Sequence, residues 1–245
     1  MTRLQIALLP VFGAAAMVLR FFQMQNGFDA DGLALRGYAV GMILPAVLLA
    51  AALFYLISSW KLSERSGGFA GNFRIDGAAG LVFGAAGAFL ILASSALSAV
   101  YAAGDTLTLL LAAFGCASAL CLLAVLLCLY KSRGVPGIAL LVPVCCLTLR
   151  LIFLYRTDAA DPVLARTYVE LLTFAALTLA HLLRASFAFG SGAPRLYLPV
   201  SAMAVILGLA AETESPALPT LLLYAGFVLV ELAFLLGADF ERRTA

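Results

Sequence analysis

Charged side chains are scarce in this 245-residue chain: Lys, Arg, Asp and Glu make up 11% of it, against about a quarter in soluble domains. The formal net charge is only +2 and the basic residues are scattered, which argues against nucleic acid as a partner. Hydrophobic residues make up 64%, and the mean hydropathy is +1.08. One core cannot bury so much apolar surface under so few charges. We therefore expect an integral membrane protein.

Histidine and cysteine are also few. There is one His, His181, and five Cys, with no CxxC spacing, which excludes the usual His/Cys metal clusters. All five cysteines lie in apolar runs, where Cys behaves as a small hydrophobe. The sequence also lacks a phosphate-binding loop, a GxSxG turn, a zincin motif and paired catalytic carboxylates. We therefore expect no enzymatic activity, no metal and no cofactor.

Long apolar runs dominate what remains. A spanning helix needs about 20 mostly apolar residues, and the runs lack the alternation of a membrane barrel. We expect an all-α polytopic fold of about eight transmembrane helices, forming a single integral membrane domain over 1–245. The first run is long and has no convincing cleavage site, so we interpret it as a retained helix rather than a signal peptide. The predicted spans are 4–24, 38–60, 78–101, 106–130, 136–155, 163–184, 196–211 and 217–238.

The basic residues orient these spans. With eight spans, both termini share one side with the loops after the second, fourth and sixth helices. We count ten Lys or Arg residues on that side and three on the other, so the positive-inside rule makes both termini cytoplasmic, most simply in the plasma membrane. A count of seven spans would place the C-terminal Glu-Arg-Arg outside, against this bias. The ten are Arg3, Lys61, Arg65, Arg74, Lys131, Arg133, Arg184, Arg195, Arg242 and Arg243, and the three are Arg36, Arg156 and Arg166.

Two helix–loop–helix corners, 19–38 and 149–168, resemble each other. Six positions match at a constant offset of 130 residues (150 − 20), without gaps. Three of the six matched pairs are charged, in a chain where charge is rare. The pattern favours an internal duplication into 1–130 and 131–245, as two parallel four-helix repeats. The alternative is that the two corners are unrelated, and resemble each other because both are outer helix–loop–helix connections with similar local requirements. The matches are Leu19/Leu149, Arg20/Arg150, Ala30/Ala160, Asp31/Asp161, Arg36/Arg166 and Tyr38/Tyr168.

Three ionisable residues fall at comparable depth in the outer half of the membrane. Arg20 and Arg150 lie near the outer ends of the first and fifth spans, and Glu170 lies about two turns into the sixth. An ionisable group in lipid is costly and normally pairs, faces the bundle interior or lines a wet cavity. Asp31 and Asp161 are further candidate partners. Three interpretations stay open: a structural ion-pair cluster, a site for an anionic group favoured by an excess of guanidinium, and an ion or proton relay.

The sixth span carries a second polar feature. Glu170 and His181 are eleven residues apart and share one helix face, with Arg184 near the cytoplasmic mouth. Such a stripe is typical of a helix that lines a polar seam, and equally of one that packs through interhelical hydrogen bonds. Glu231, deep in the eighth span, has His181 or Arg184 as its expected partner. In the third span, Gly80, Gly84 and Gly87 favour close helix packing.

These features predict a small-solute or ion transporter, or a permease-like membrane subunit. Its candidate polar site comprises Arg20, Arg150, Glu170, His181, Arg184 and Glu231. The alternative is a non-catalytic membrane scaffold or sensor whose charges are structural, and an intramembrane enzyme comes third. The lipid bilayer is the expected surrounding, with other membrane proteins or further copies of the chain as candidate partners. A transporter requires a water-accessible cavity that reaches Glu170 or His181, whereas a scaffold requires dry, paired charges.

Overall fold

The computed structural model describes residues 3–29, 33–35, 37–65, 68–75, 77–158, 164–214 and 217–242. The fold is all-α, as predicted, with one two-stranded antiparallel pairing of β1 and β2. The helices are α1 (Arg3–Asn26), α2 (Ala39–Ser59), α3 (Gly68–Asn72), α4 (Ala78–Tyr101), α5 (Thr106–Tyr130), α6 (Gly137–Asp158), α7 (Leu164–Ala188), α8 (Pro194–Ala211) and α9 (Leu218–Leu236); the strands are β1 (Leu62–Ser63) and β2 (Glu241–Arg242).

Eight of these helices are long and apolar enough to cross a membrane, which confirms the predicted count. Each begins within about two residues of its predicted start, because Gly, Pro and polar residues interrupt the apolar runs. The C-terminal end that differs most from the prediction is that of α7, the sixth span. This helix continues to Ala188, whereas the span was predicted to end at 184. The five-residue α3 and the two strands were not predicted, because such short elements carry no periodic signal.

The tight connection between α4 and α5 shows how local chemistry sets the helix ends. Gly104 has a φ of +91°, a left-handed conformation that glycine adopts without steric cost. Asp105 then caps α5, its carboxylate accepting from the backbone N–H groups of Leu107 and Thr108. A capping carboxylate satisfies amides that have no partner within the helix. Two spans can therefore be joined by a turn of four residues, 102–105.

Six spans form a closed ring. Each helix from α4 to α9 packs on the next, and α9 returns to pack extensively on α4. The α1–α2 hairpin lies outside this ring, against α8. The share of buried residues differs accordingly: it is 72% in α8, but only 22% over the most apolar stretch of α2. Apolar side chains such as Ile57, Phe89 and Ile138 are more than half exposed on the outside of the helices, as lipid contact requires.

Glycine permits the close approach of α4 and α9. A methyl group on Gly87 would lie 2.5 Å from the carbonyl oxygen of Gly226, and one on Gly226 would lie 2.8 Å from that of Gly87. Gly84 is also close-packed, against Leu126 and Ala233. The predicted role of this glycine-rich span in helix packing is therefore confirmed for Gly84 and Gly87.

The two ends of the bundle are distinguished by their contacts. The terminal face holds the start of α1, the end of α2 and both strands: the Tyr55 hydroxyl at the end of α2 donates to the Gln5 carbonyl near the start of α1, 2.9 Å away, and β1 pairs with β2. The distal face holds the α1–α2, α4–α5 and α8–α9 connections, including Phe28, Asp105 and Glu214. The start of α1 and strand β2 thus lie at one face, as an even number of spans requires.

The packing does not support the proposed duplication. A parallel two-fold repeat would relate the α1–α8 contact to one between α6 and α4, and no extensive contact of that kind occurs in the described part of the chain. The division into 1–130 and 131–245 therefore stays a prediction from sequence.

Candidate functional site

A buried ion pair holds α1 to the α8–α9 connection at the distal face. The Arg20 side chain is 0% exposed, and its Nε donates to Glu214 Oε1 at 2.5 Å. Arg20 Nη1 donates to Gln23 Oε1 at 2.8 Å. The guanidinium carbon also lies 4.8 Å from the ring centre of Tyr168, a cation–π distance. Arg20 is thus paired inside the protein and does not extend to the lipid headgroups.

Glu214 also reaches α7. Its second oxygen, Oε2, accepts from the backbone N–H of Glu170 at 3.0 Å. The Glu170 carboxylate in turn accepts from the Tyr224 hydroxyl of α9. Arg20 and Glu170, which the sequence placed at one depth, are therefore connected through Glu214.

Glu214 and the neighbouring Glu212 have unusual acidities. Burial raises the pKa of Glu214 to about 7, although the Arg20 guanidinium opposes this. Burial likewise raises the pKa of Glu212 to about 7, opposed by a hydrogen bond from the backbone of Ala225. Both carboxyl groups therefore titrate near neutral pH. Glu214 thus places a carboxyl group beside Arg20 in addition to the partners expected from sequence, Glu170, Asp31 and Asp161.

A pocket of about 230 Å³ lies between the ring helices and contains both Arg150 and Glu170. Four ring helices and the start of α9 contribute to it. Both polar and apolar side chains form its wall: Ser98, Thr108, Leu111, Arg150, Phe153, Leu154, Glu170, Phe174 and Thr220. The sequence prediction that Arg150 and Glu170 share one level is consistent with this arrangement.

Arg150 lines this pocket and has unmet hydrogen-bonding capacity on its buried side. Its Nε and Nη2 are buried and have no hydrogen-bond partner. Nη2 lies near Gly115 of α5, where an added methyl group would be 3.7 Å from it and would overlap Ser95. Among the described residues, Arg150 and Glu170 do not form an ion pair with each other. Two opposite charges thus share one small pocket without neutralising each other directly.

A second, fully buried cluster joins α7, α8 and α9 toward the terminal face. Arg184 Nη2 donates to Glu231 Oε1 at 2.8 Å, and His181 Nδ1 lies 3.0 Å from the same oxygen. The Ser201 hydroxyl donates to Glu231 Oε2 at 2.5 Å. The guanidinium of Arg184 also stacks 4.0 Å from the ring centre of Phe234. Glu231 therefore has both of the partners that the sequence predicted.

The position of Arg184 corrects one expectation. It was counted among the cytoplasmic loop residues at the mouth of the helix, but its side chain is 0% exposed because α7 extends one turn further. His181 is also enclosed, and its Nδ1 faces two acceptors, Glu231 and the Leu177 carbonyl at 2.9 Å. Since both are acceptors, Nδ1 carries the proton.

Glu170 and His181 share a face of α7 but belong to different clusters. Phe174 and Leu177, 4% and 0% exposed, lie between them along that face, and the Phe174 ring packs on Tyr224 at 5.4 Å. The expected polar stripe is therefore interrupted by apolar side chains in this conformation. The remaining expected partners of the arginines, Asp31 and Asp161, lie outside the described residues.

Within the described ranges, no group of three or more His, Cys, Asp or Glu side chains is arranged to hold a metal ion. The fold and the site together define a multi-span helical membrane protein with a charged pocket lined by five of its helices. No family model, curated protein or solved structure matches the chain.

Proposed function

We propose that this chain is a small-solute or ion transporter, or a permease-like membrane subunit, without a catalytic step of its own. The observation that carries the proposal is the pocket between the ring helices, because it presents Arg150 and Glu170 in a span region where ionisable groups are costly. Ionisable side chains at membrane depth that line a cavity are the usual mark of a solute pathway. Helices that packed only through apolar side chains would need neither Arg150 nor Glu170.

The surroundings of the pocket support this role. Tyr224 donates to the Glu170 carboxylate and Glu214 accepts from the Glu170 backbone N–H, so residue 170 is positioned before any solute arrives. Such preorganisation lowers the cost of binding. The apolar block formed by Phe174 and Leu177 would act as the closed end of the pathway, since it separates the pocket from the buried His181 cluster.

A transport assay tests the proposal. Purified protein in proteoliposomes would be offered chloride, propionate, alanine and glycerol, each radiolabelled, and uptake compared with empty liposomes. We expect at least one solute to enter faster with the wild type. Arg150→Gln should reduce that uptake tenfold or more, because it removes the pocket's cation. The control Leu120→Ala, at a lipid-facing position that is 58% exposed, should retain it. Uptake equal to empty liposomes for every solute would contradict transport and favour the second candidate.

That second candidate is a non-catalytic scaffold or sensor. The cluster of Glu231, Arg184 and His181 favours it, since these side chains are buried and both Arg184 and His181 contact the Glu231 carboxylate. Buried pairs of this kind can fix which helices pack together. The two functions differ in what the pocket does: a transporter admits a solute to it, whereas a scaffold does not.

The orientation we propose places the terminal face in the cytoplasm, with the plasma membrane as the location. Without Arg184, nine basic residues remain on the terminal side against three on the distal side, so the positive-inside bias persists. The pocket would then open outward. A reporter fused after residue 245 that is active only outside the cytoplasm should be silent, and an active one would reverse the orientation.

A further inference from the structure

We infer that the pocket between the ring helices binds a small zwitterion, a molecule with a carboxylate at one end and an ammonium at the other, such as a small α-amino acid. This inference rests on the proposed role of the pocket as a solute site. It adds the chemical class of the solute.

Arg150 supplies the carboxylate end. Its Nε and Nη2 are the two parallel N–H donors of one edge of the guanidinium, and both lack partners. That edge matches the two oxygens of a carboxylate in a bidentate hydrogen bond. Leaving buried donors unsatisfied costs free energy, so the fold gains when a ligand meets them. Because both nitrogens are closed off from the pocket here, binding includes a rotation of the guanidinium away from Gly115 and toward the cavity.

Glu170 supplies the other end. Its carboxylate lines the same pocket from the neighbouring helix α7, and Tyr224 holds it in place. An ionised carboxylate has about four acceptor sites, so it can take an ammonium in addition to the contacts it already makes. A solute with both charges bridges Arg150 and Glu170, which do not pair with each other.

The two charges also discriminate against simpler solutes. A monocarboxylate would satisfy Arg150 but meet the like charge of Glu170, and an amine would satisfy Glu170 but meet Arg150. Juxtaposed like charges are the usual means by which a site rejects a wrong ligand. The charge arrangement therefore selects the dipolar molecule over either half of it.

Volume and lining limit the size of the solute. The pocket of about 230 Å³ corresponds to about eight water molecules of liquid volume, below the usual range for drug-sized ligands. Phe153 and Phe174 offer an apolar surface, and Ser98 and Thr220 offer hydroxyl groups. A glycine-, alanine- or serine-sized molecule fits these dimensions, whereas a bulky aromatic amino acid does not.

Equilibrium dialysis tests the inference without requiring transport. Wild-type protein in nanodiscs would be dialysed against radiolabelled L-alanine, with propionate and ethylamine as competitors that each lack one charged group. We expect alanine to bind, and both competitors to displace it at least tenfold less well than unlabelled alanine does. Failure of alanine to bind, or propionate competing as well as alanine, would overturn the inference.

Variants separate the two ends. Arg150→Gln should abolish binding of alanine, whereas Glu170→Gln should weaken alanine tenfold or more while leaving propionate competition unchanged or stronger. Leu120→Ala is the control that should bind like the wild type. If a variant unfolds, the competition experiment on the wild type still decides. The proposed function is contradicted by a different result. If alanine binds but never crosses the membrane of proteoliposomes, transport is contradicted. If another solute crosses while alanine fails to bind, only the inference of a zwitterionic solute is contradicted.

Discussion

Arg20 in the first span and Glu214 in the last distal connection form an ion pair across 194 residues of sequence, and both side chains are nearly inaccessible. Removing one partner leaves the other charge buried and unpaired. We therefore expect Arg20→Gln to lower the free energy of unfolding by about 3–5 kcal/mol, measured by thermal or denaturant unfolding in detergent. The double variant Arg20→Gln with Glu214→Gln should recover part of this loss.

The exposed pair of Arg65 and Asp239 at the terminal face is the matched control, with side chains 38% and 49% exposed. Asp239→Asn should cost less than about 1 kcal/mol, because water screens and replaces the pair. An equal loss at both sites would mean that burial does not govern the strength of these contacts.

Glu231 is the acceptor shared by three side chains of the buried terminal cluster. Glu231→Gln should destabilise the protein by about 3–5 kcal/mol, since Arg184 would remain charged with no carboxylate nearby. Ser201→Ala removes only one donor to the same carboxylate and should cost about 1–3 kcal/mol. Unfolding midpoints in detergent provide the measurement. A smaller loss for Glu231→Gln than for Ser201→Ala would show that the arginine does not depend on this partner.

The contact between Gly87 and Gly226 makes a steric prediction. Gly87→Ala places a methyl group 2.5 Å from a backbone oxygen of α9, so α4 and α9 must separate, at a cost of about 1–3 kcal/mol. Gly41→Ala is the control within another helix, where the new methyl group would meet only Gln23 Nε2 at 3.8 Å. We expect Gly41→Ala to be neutral or slightly stabilising, as alanine favours helix. Similar melting temperatures for both variants would contradict the close crossing.

Accessibility distinguishes the pocket from the buried cluster. In a background with Cys116, Cys121, Cys128, Cys145 and Cys146 replaced by Ala, we expect Thr220→Cys to react with a small membrane-impermeant thiol reagent. Ser201→Cys should be protected, because residue 201 is fully buried. Labelling in sealed vesicles of known orientation, followed by mass measurement, checks both. Protection of Thr220→Cys from both sides would contradict an open pocket.

The pKa values of Glu212 and Glu214 predict how stability depends on pH. Both are raised to about 7, from an ordinary value of 4.5. The folded state therefore holds these protons more tightly than the unfolded state. The resulting stabilisation is complete below about pH 4.5 and is lost as the pH rises through about 7. We expect the melting temperature to fall between about pH 5 and pH 8, and to fall less in Glu212→Gln. A rise over this range in the wild type would contradict the assignment.

The spans were predictable because their physical requirement is local: an apolar run long enough to cross a bilayer, ended by Gly, Pro or polar residues. The depth of Arg20, Arg150 and Glu170 followed from the rise per residue of a helix. The pairing of Glu231 with His181 and Arg184 followed from the scarcity of other deep charges.

The partner of Arg20 was not predictable in the same way. Glu214 lies in a polar segment that looks like a solvated loop, and no periodicity relates it to the first span. Tyr224 and Ser201 were missed for a similar reason, since a single hydroxyl in an apolar run gives no indication of which helix it faces. Arg184 was misplaced because the sequence pattern ended α7 a turn too early. Tertiary contacts between distant spans decided each of these points.

The closure of the ring by α9 has a consequence for biogenesis. Of the eight spans this helix is synthesised last, yet it supplies Tyr224 to Glu170 and Glu231 to the buried cluster, and it completes the contact with α4. Until it is inserted, Arg184 and His181 lack their carboxylate, so every nascent chain passes through an incomplete state with polar groups exposed between helices. A chain truncated before residue 218 would therefore leave without their partners the same polar groups that stabilise the finished protein.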